Sequence, residues 1–213
     1  MDVISPELLY KTRDEAIELG RIATRFARVE RAPRMPDGRR ETDVEHSFHL
    51  GLTAAEWAAR FYPELDQGLI SQFANVHDLV EVYTGDVWTF AISDEDRVLK
   101  EQNEHIALAR LLEELPDYTA DILRRYEAQT EPEARFVRLV DKCVPGIINI
   151  VGIARSTFLD DYKVDDVQIL IDERIKQMAR LKQMFPEFPA IFEIRNAISQ
   201  AAQELYFPGT TDQ

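Results

Sequence analysis

His77 and Asp78 stand side by side in the stretch FANVHDLVEVYTGD, an imidazole and a carboxylate on neighbouring residues. Adjacent helical positions point about 100° apart, so the two side chains can flank one ion from a single turn. His46, in ETDVEHSFHL, and Asp141, in VRLVDKCVP, can complete a set of four ligands. Two imidazole nitrogens and two carboxylates suit one divalent ion of borderline or hard character, Mn²⁺, Co²⁺, Zn²⁺, Fe²⁺ or Mg²⁺. With coordination positions left open, such an ion acidifies water and polarises a phosphoryl oxygen. The chemistry to expect is metal-dependent hydrolysis of a phosphate ester.

Glu81 lies four residues after His77 and three after Asp78, on the shared face of a helix. The surrounding run ISQFANVHDLVEV is apolar, with Phe73, Val76, Leu79 and Val80 beside the ionisable pair. Burying those groups without partners costs several kcal/mol, and a bound cation removes that cost. The ordinary alternatives are a hydrogen-bonded core histidine at 77, a helix-face carboxylate at Glu81 and a turn residue at Asp86, after Gly85. His49, three residues after His46, reads as a pocket-border or locally bonded residue. His105, in EQNEHIALA, reads as surface.

Composition bounds the partners. The 213 residues fit a single domain, 1–213, with a metal-site core at about 20–150 and C-terminal helices at about 155–206. The chain is 45% hydrophobic and 30% charged, and 25 basic against 39 acidic residues leave a net charge of −14. That field repels nucleic-acid polymers, whose binding depends on Lys and Arg neutralising phosphates. A small phosphorylated substrate stays open, because a bound dication inverts the local potential. The basic stretch RVERAPRMPDGRR, residues 28–40, lies just before His46, where a phosphate needs positive charge. Apolar runs such as GIINIVGIA, 146–154, are too short for a bilayer, and the N-terminus has no apolar core of a secretion signal. One cysteine, Cys143, excludes an internal disulfide and a thiolate cluster, so a cytoplasmic protein is expected.

The elements that must carry these residues read as all-α. Ser5 caps and Pro6 opens a helix to about residue 30, with Leu8, Leu9, Ala16, Ile17, Ile22 and Ala23 at helical spacing. A loop with Pro33, Pro36 and Gly38 follows. Thr42 and Glu45 form a capping box for a helix to about Arg60, placing His46 one turn in. Asp66 begins a third helix that carries His77, Asp78 and Glu81 to about Val82. Ser93 and Asp96 are start signals for a helix to about Leu115. Further helices are predicted over 117–128, 131–154, 165–185 and 189–206, the 131–154 helix holding Asp141 in its middle. No alternating run is long enough for a convincing sheet, and the last residues, PGTTDQ, read as a frayed tail. Apolar C-terminal segments such as AIFEIRNAISQAAQELYF are either core or a homodimer surface.

The H…HD…D order of His46, His77–Asp78 and Asp141 resembles the signature of the HD-domain phosphohydrolase superfamily. The segments RAPRM at 31–35, VEH at 44–46 and HDLVEVYTGD at 77–86 are most similar to the YfbR-like 5′-deoxynucleotidase branch, over about residues 20–150. The resemblance implies an all-α helical bundle in which His46, His77, Asp78 and Asp141 ligate one divalent ion. It implies Glu81 as general acid/base, Asp86 as an active-site carboxylate near the sugar, and Arg31 as a contact to sugar or phosphate. The implied substrate is a (deoxy)nucleoside 5′-monophosphate, cleaved to nucleoside and phosphate. Alternatives are a (d)NTP triphosphohydrolase releasing tripolyphosphate and a nucleotide-binding regulatory module without turnover. Two positions depart from the branch: Ala32 replaces an aromatic residue used around the sugar, and Val44 replaces a serine.

Overall fold

A computed structural model describes residues 4–86, 94–153, 164 and 166–207. Chain order is α1 (Pro6–Phe26), β1 (Glu30–Arg34), β2 (Arg40–Thr42), α2 (Asp43–Phe61), α3 (Gln67–Val76), α4 (Glu81–Thr84) and α5 (Asp94–Glu114). It continues with α6 (Asp117–Ala128), α7 (Pro132–Asp141), α8 (Val144–Val151), α9 (Val167–Met184) and α10 (Pro189–Tyr206). The fold is all-α, apart from one small antiparallel hairpin of β1 and β2. That hairpin corrects the expectation of no sheet. Strands of five and three residues, with a register shift between Glu30 and Arg34, are too short and irregular to show alternation in sequence.

Local chemistry explains the helix starts. The Ser5 hydroxyl accepts from the Leu8 amide at 3.2 Å, with Pro6 in the first turn of α1. At α2 the capping box is complete: Glu45 N–H donates to the Thr42 hydroxyl at 3.4 Å, and Thr42 N–H donates to the Glu45 carboxylate at 3.0 Å. Arg39 then forks onto both Glu45 oxygens at 2.8 and 2.5 Å, tying the hairpin to the first turn of α2. Asp66 caps α3 through the Gly68 and Leu69 amides. Asp96 is not a cap but lies within α5, while Ser93 and the tail 208–213 fall outside the described residues. The helix expected from residue 165 is observed from Val167, with Asp166 as its cap.

The core lies between α2, α3, α6 and α7, closed below by α10. α2 buries His46, Leu50, Ala54 and Ala58 along one stripe, and Gly51 brings its backbone against Ala74 of α3. Tyr62, Phe136 and Phe188 pack edge to face, with ring centroids 5.2–5.5 Å apart. The expected apolar stripe of α1 buries only at its C-terminal end: Ile22 is 2% exposed, whereas Leu8 and Leu9 are more than half exposed. No helix among the described residues is long and apolar enough to cross a membrane.

Two breaks in expected helices shape the site. α3 stops at Val76, and residues 77–80 continue with bonds three residues back, as in Leu79 N–H to Val76 O and Glu81 N–H to Asp78 O. This tighter winding has about three residues per turn and eclipses side chains three apart. The predicted helix over 131–154 also divides, into α7 and α8. Pro145 cannot donate to the carbonyl of residue 141, and its ring collides there, so α7 ends at Asp141. Asp141 is therefore a helix-terminal residue, not a mid-helix one.

Candidate metal centre

His46 from α2, His77 and Asp78 from the tightened turn after α3, and Asp141 from the end of α7 meet in one place. One ligand atom from each lies within 4.8 Å of all the others. His46 Nε2 is 2.9 Å from Asp141 Oδ1, and His77 Nε2 is 2.9 Å from Asp78 Oδ2. The diagonal pairs, His46 to Asp78 and His77 to Asp141, are each 3.9 Å apart. His46, His77 and Asp141 are buried, and Asp78 keeps 20% side-chain exposure, which leaves the cluster open on one side.

The hydrogen bonds of His77 test whether a cation fits. Its Nδ1 faces the Ala74 carbonyl at 2.9 Å, which places the proton on Nδ1 and leaves a lone pair on Nε2. That Nε2 is buried and makes no hydrogen bond, despite its approach to Asp78. A buried, unsatisfied nitrogen lone pair beside two carboxylates is the donor set a divalent ion completes. The residues fit.

Carboxylates crowd the rest of the site. Asp78 and Glu81, three apart on the tightened turn, stack on one side as that winding requires, and with Asp43 they form a second carboxylate group within 4.8 Å. Burial, and then the charges of Asp78, Asp43 and Asp86, push the Glu81 carboxyl up to about 11. Arg31 sits among them, donating from Nη1 to Asp43 Oδ1 at 3.0 Å and to Asp78 Oδ2 at 2.8 Å. Burial alone would lower its pKa, but Asp78, Asp86, Asp141 and Glu81 raise it well above the usual value. Lys142 Nζ pairs with Asp141 Oδ2 at 2.7 Å. His46 is driven down to about 4, first by burial and then by the Arg31 charge, so it is a neutral imidazole at physiological pH.

Asp86 also faces the cluster. Burial raises its carboxyl, with the charges of Arg31, Asp78, Lys100 and Asp141 acting on it. Gly85 makes this return possible: its φ of +68° lies in the left-handed region that glycine enters freely, and it ends α4. Arg31, Glu81 and Asp86 are thus gathered around the four clustered side chains. His49 is half-buried on α2, one turn beyond His46, and His105 is exposed on α5.

Glu41 and Asp43 were not legible as site residues. Both are almost fully buried, Glu41 3.6 Å from Arg31 Nε and 3.8 Å from His46 Nδ1. Burial, partly offset by Arg31, raises Glu41 to about 7 and Asp43 to about 6. The available signal was spacing: Glu41 and Asp43 lie two apart, entering α2, and Asp43 lies one turn before His46.

The chain matches the family model described as HD domain over residues 24–183. It belongs to the HD-domain family. Among solved structures, this HD-domain chain is similar to a predicted metal-dependent phosphohydrolase from Magnetospirillum magnetotacticum MS-1. The TM-score is 0.67 with 23% sequence identity, covering 96% of this chain and 98% of that one, a likeness of fold. A search of curated proteins gave no match.

Proposed function

We propose that this HD-domain chain is a metal-dependent phosphohydrolase acting on nucleotides, and within that class a (deoxy)nucleoside 5′-monophosphate phosphatase of the YfbR-like branch. The observation that carries this reading is the convergence of His46, His77, Asp78 and Asp141 within 4.8 Å, with buried Glu81 and Arg31 against Asp78. Those four side chains would hold the divalent ion. When bound, it supplies Lewis acidity toward a phosphoryl oxygen and lowers the pKa of water.

The chain's own groups do the rest. Arg31, a guanidinium held in place by Asp43 and Asp78, offsets charge on the phosphate. Glu81 is kept protonated by burial and its acidic neighbours, and positive charge at Asp78 would draw its pKa back toward neutrality. A carboxyl so tuned donates a proton to the leaving oxygen and recovers one from the attacking water. Asp86, returned to the site by Gly85, orients the sugar hydroxyl. The triphosphohydrolase alternative draws on the small side chain at Ala32, but Ala32 is 2% exposed, which does not support added room for a longer phosphate chain.

The test is turnover of nucleoside 5′-monophosphates by metal-stripped protein and by protein reconstituted with Mn²⁺ or Co²⁺. Orthophosphate released only after reconstitution is expected. Tripolyphosphate from a triphosphate substrate would replace the monophosphatase reading. Tight nucleotide binding without turnover under any ion would favour a regulatory module.

A further inference from the structure

A groove of about 370 Å³ runs between α4 and α5, lined by Tyr83, Thr84, Lys100, Asn103, Ile106 and Arg110. It shares α4 with Glu81 of the candidate site. Thr84 lies one turn after Glu81 and two residues before Asp86, and Lys100, on the groove wall, is close enough for its charge to act on the Asp86 carboxyl. The cations of the groove have acidic neighbours. Lys100 pairs with Glu104, and Arg110 Nε donates to Glu114 at 3.4 Å. Arg110 also lies over the Tyr83 ring, 4.2 Å from its centroid, and the Tyr83 hydroxyl accepts from Arg25 at 3.0 Å, so the aromatic side of the groove is a tyrosine–arginine stack. Ile106, 70% exposed, adds an apolar surface.

What remains uncommitted is the Asn103 amide, which makes no hydrogen bond among the described residues. A groove whose cations have acidic neighbours, with a Tyr83–Arg110 stack, an aliphatic wall and an exposed amide without a protein partner, suits a planar heterocycle better than further phosphates. An asparagine amide presents a donor and an acceptor side by side, matching the edge of a nucleobase. We propose that this groove receives the nucleobase of the substrate, with Asn103 as its specificity contact. The assignment rests on the nucleotide-phosphatase reading and extends it from the reacting phosphate to the leaving group.

The experiment compares kcat/KM for the nucleoside 5′-monophosphates with that for ribose 5-phosphate, which lacks a base, in the reconstituted wild type, Asn103→Ala and Ile106→Trp. Loss of one neutral hydrogen bond predicts that Asn103→Ala lowers the nucleotide to ribose 5-phosphate ratio about tenfold. Ile106→Trp, at an exposed position that tolerates bulk, fills the groove and lowers the same ratio further. Nucleotide turnover with the wild-type ratio in both variants overturns the groove assignment and leaves the phosphatase reading standing. A wild type that hydrolyses no nucleotide overturns that reading, and the assignment with it.

Discussion

At the residue scale, the HD dipeptide works because its two members have different supports. The backbone of Ala74 orients His77, while Arg31 holds Asp78 at the open side of the cluster. Asp141 is shared between His46 and Lys142. Asp141→Ala should therefore abolish metal retention and turnover together, checked by elemental analysis of metal per chain. Glu81→Gln should keep the ion while kcat falls about 10²–10⁴-fold, the usual contribution of a positioned proton donor. Retained activity in Glu81→Gln would remove that residue from the chemistry. The four residues that meet in the cluster were readable from type and order. Glu41 and Asp43 were not, because their spacing into α2 does not by itself announce burial against an arginine.

At the element scale, helix ends rather than helix middles carry the site. Predicted within continuous helices, His77, Asp78 and Asp141 instead occupy a tightened turn and a helix terminus. Pro145 was visible in the sequence, and its collision with the carbonyl of residue 141 is the physical cause of the second break. The first break has no such marker, since HDLV contains neither proline nor glycine. The capping box at the start of α2 was legible, and it sets the first turn on which His46 stands. Thr42→Ala should cost about 1 kcal/mol of stability in denaturant unfolding. Glu45 adds a pH dependence. Its carboxyl is lowered to about 2, chiefly by the hydrogen bond from Arg39. Its contribution is thus complete above the ordinary carboxylate value of about 4.5 and is lost as pH falls toward 2. Glu45→Gln should flatten this part of the acid limb in thermal melts at pH 3 against pH 6. An unchanged pH profile would assign the acid sensitivity elsewhere.

At the scale of the molecule, a chain of charge −14 concentrates Glu41, Asp43, Asp78, Glu81, Asp86 and Asp141 around Arg31 and Lys142. That repulsion is relieved by positive charge, so the ion should be a large stabilising ligand. At a free concentration 100-fold above its Kd, a bound ion contributes about 2.7 kcal/mol, or roughly 5–10 °C in Tm for a chain of this size. Chelation should lower Tm by that amount in the wild type and leave Asp141→Ala unmoved. Gly152 shows how closely the end of α8 is pressed onto the hairpin: a Cβ there would lie 1.9 Å from the Arg34 carbonyl. Gly152→Ala should destabilise through forced displacement of that strand.

The amino-acid sequence alone determined the helical class, the capped start of α2, the order of the four residues that meet in the cluster and the strongly acidic net charge. Each of these depends on local spacing or on summed charge. Tertiary structure decided the short hairpin, the tightened turn that stacks Asp78 on Glu81, and the burial of Glu41 and Asp43. Those features come from residues far apart in the chain excluding water from one another, and periodicity along a single segment carries no record of that.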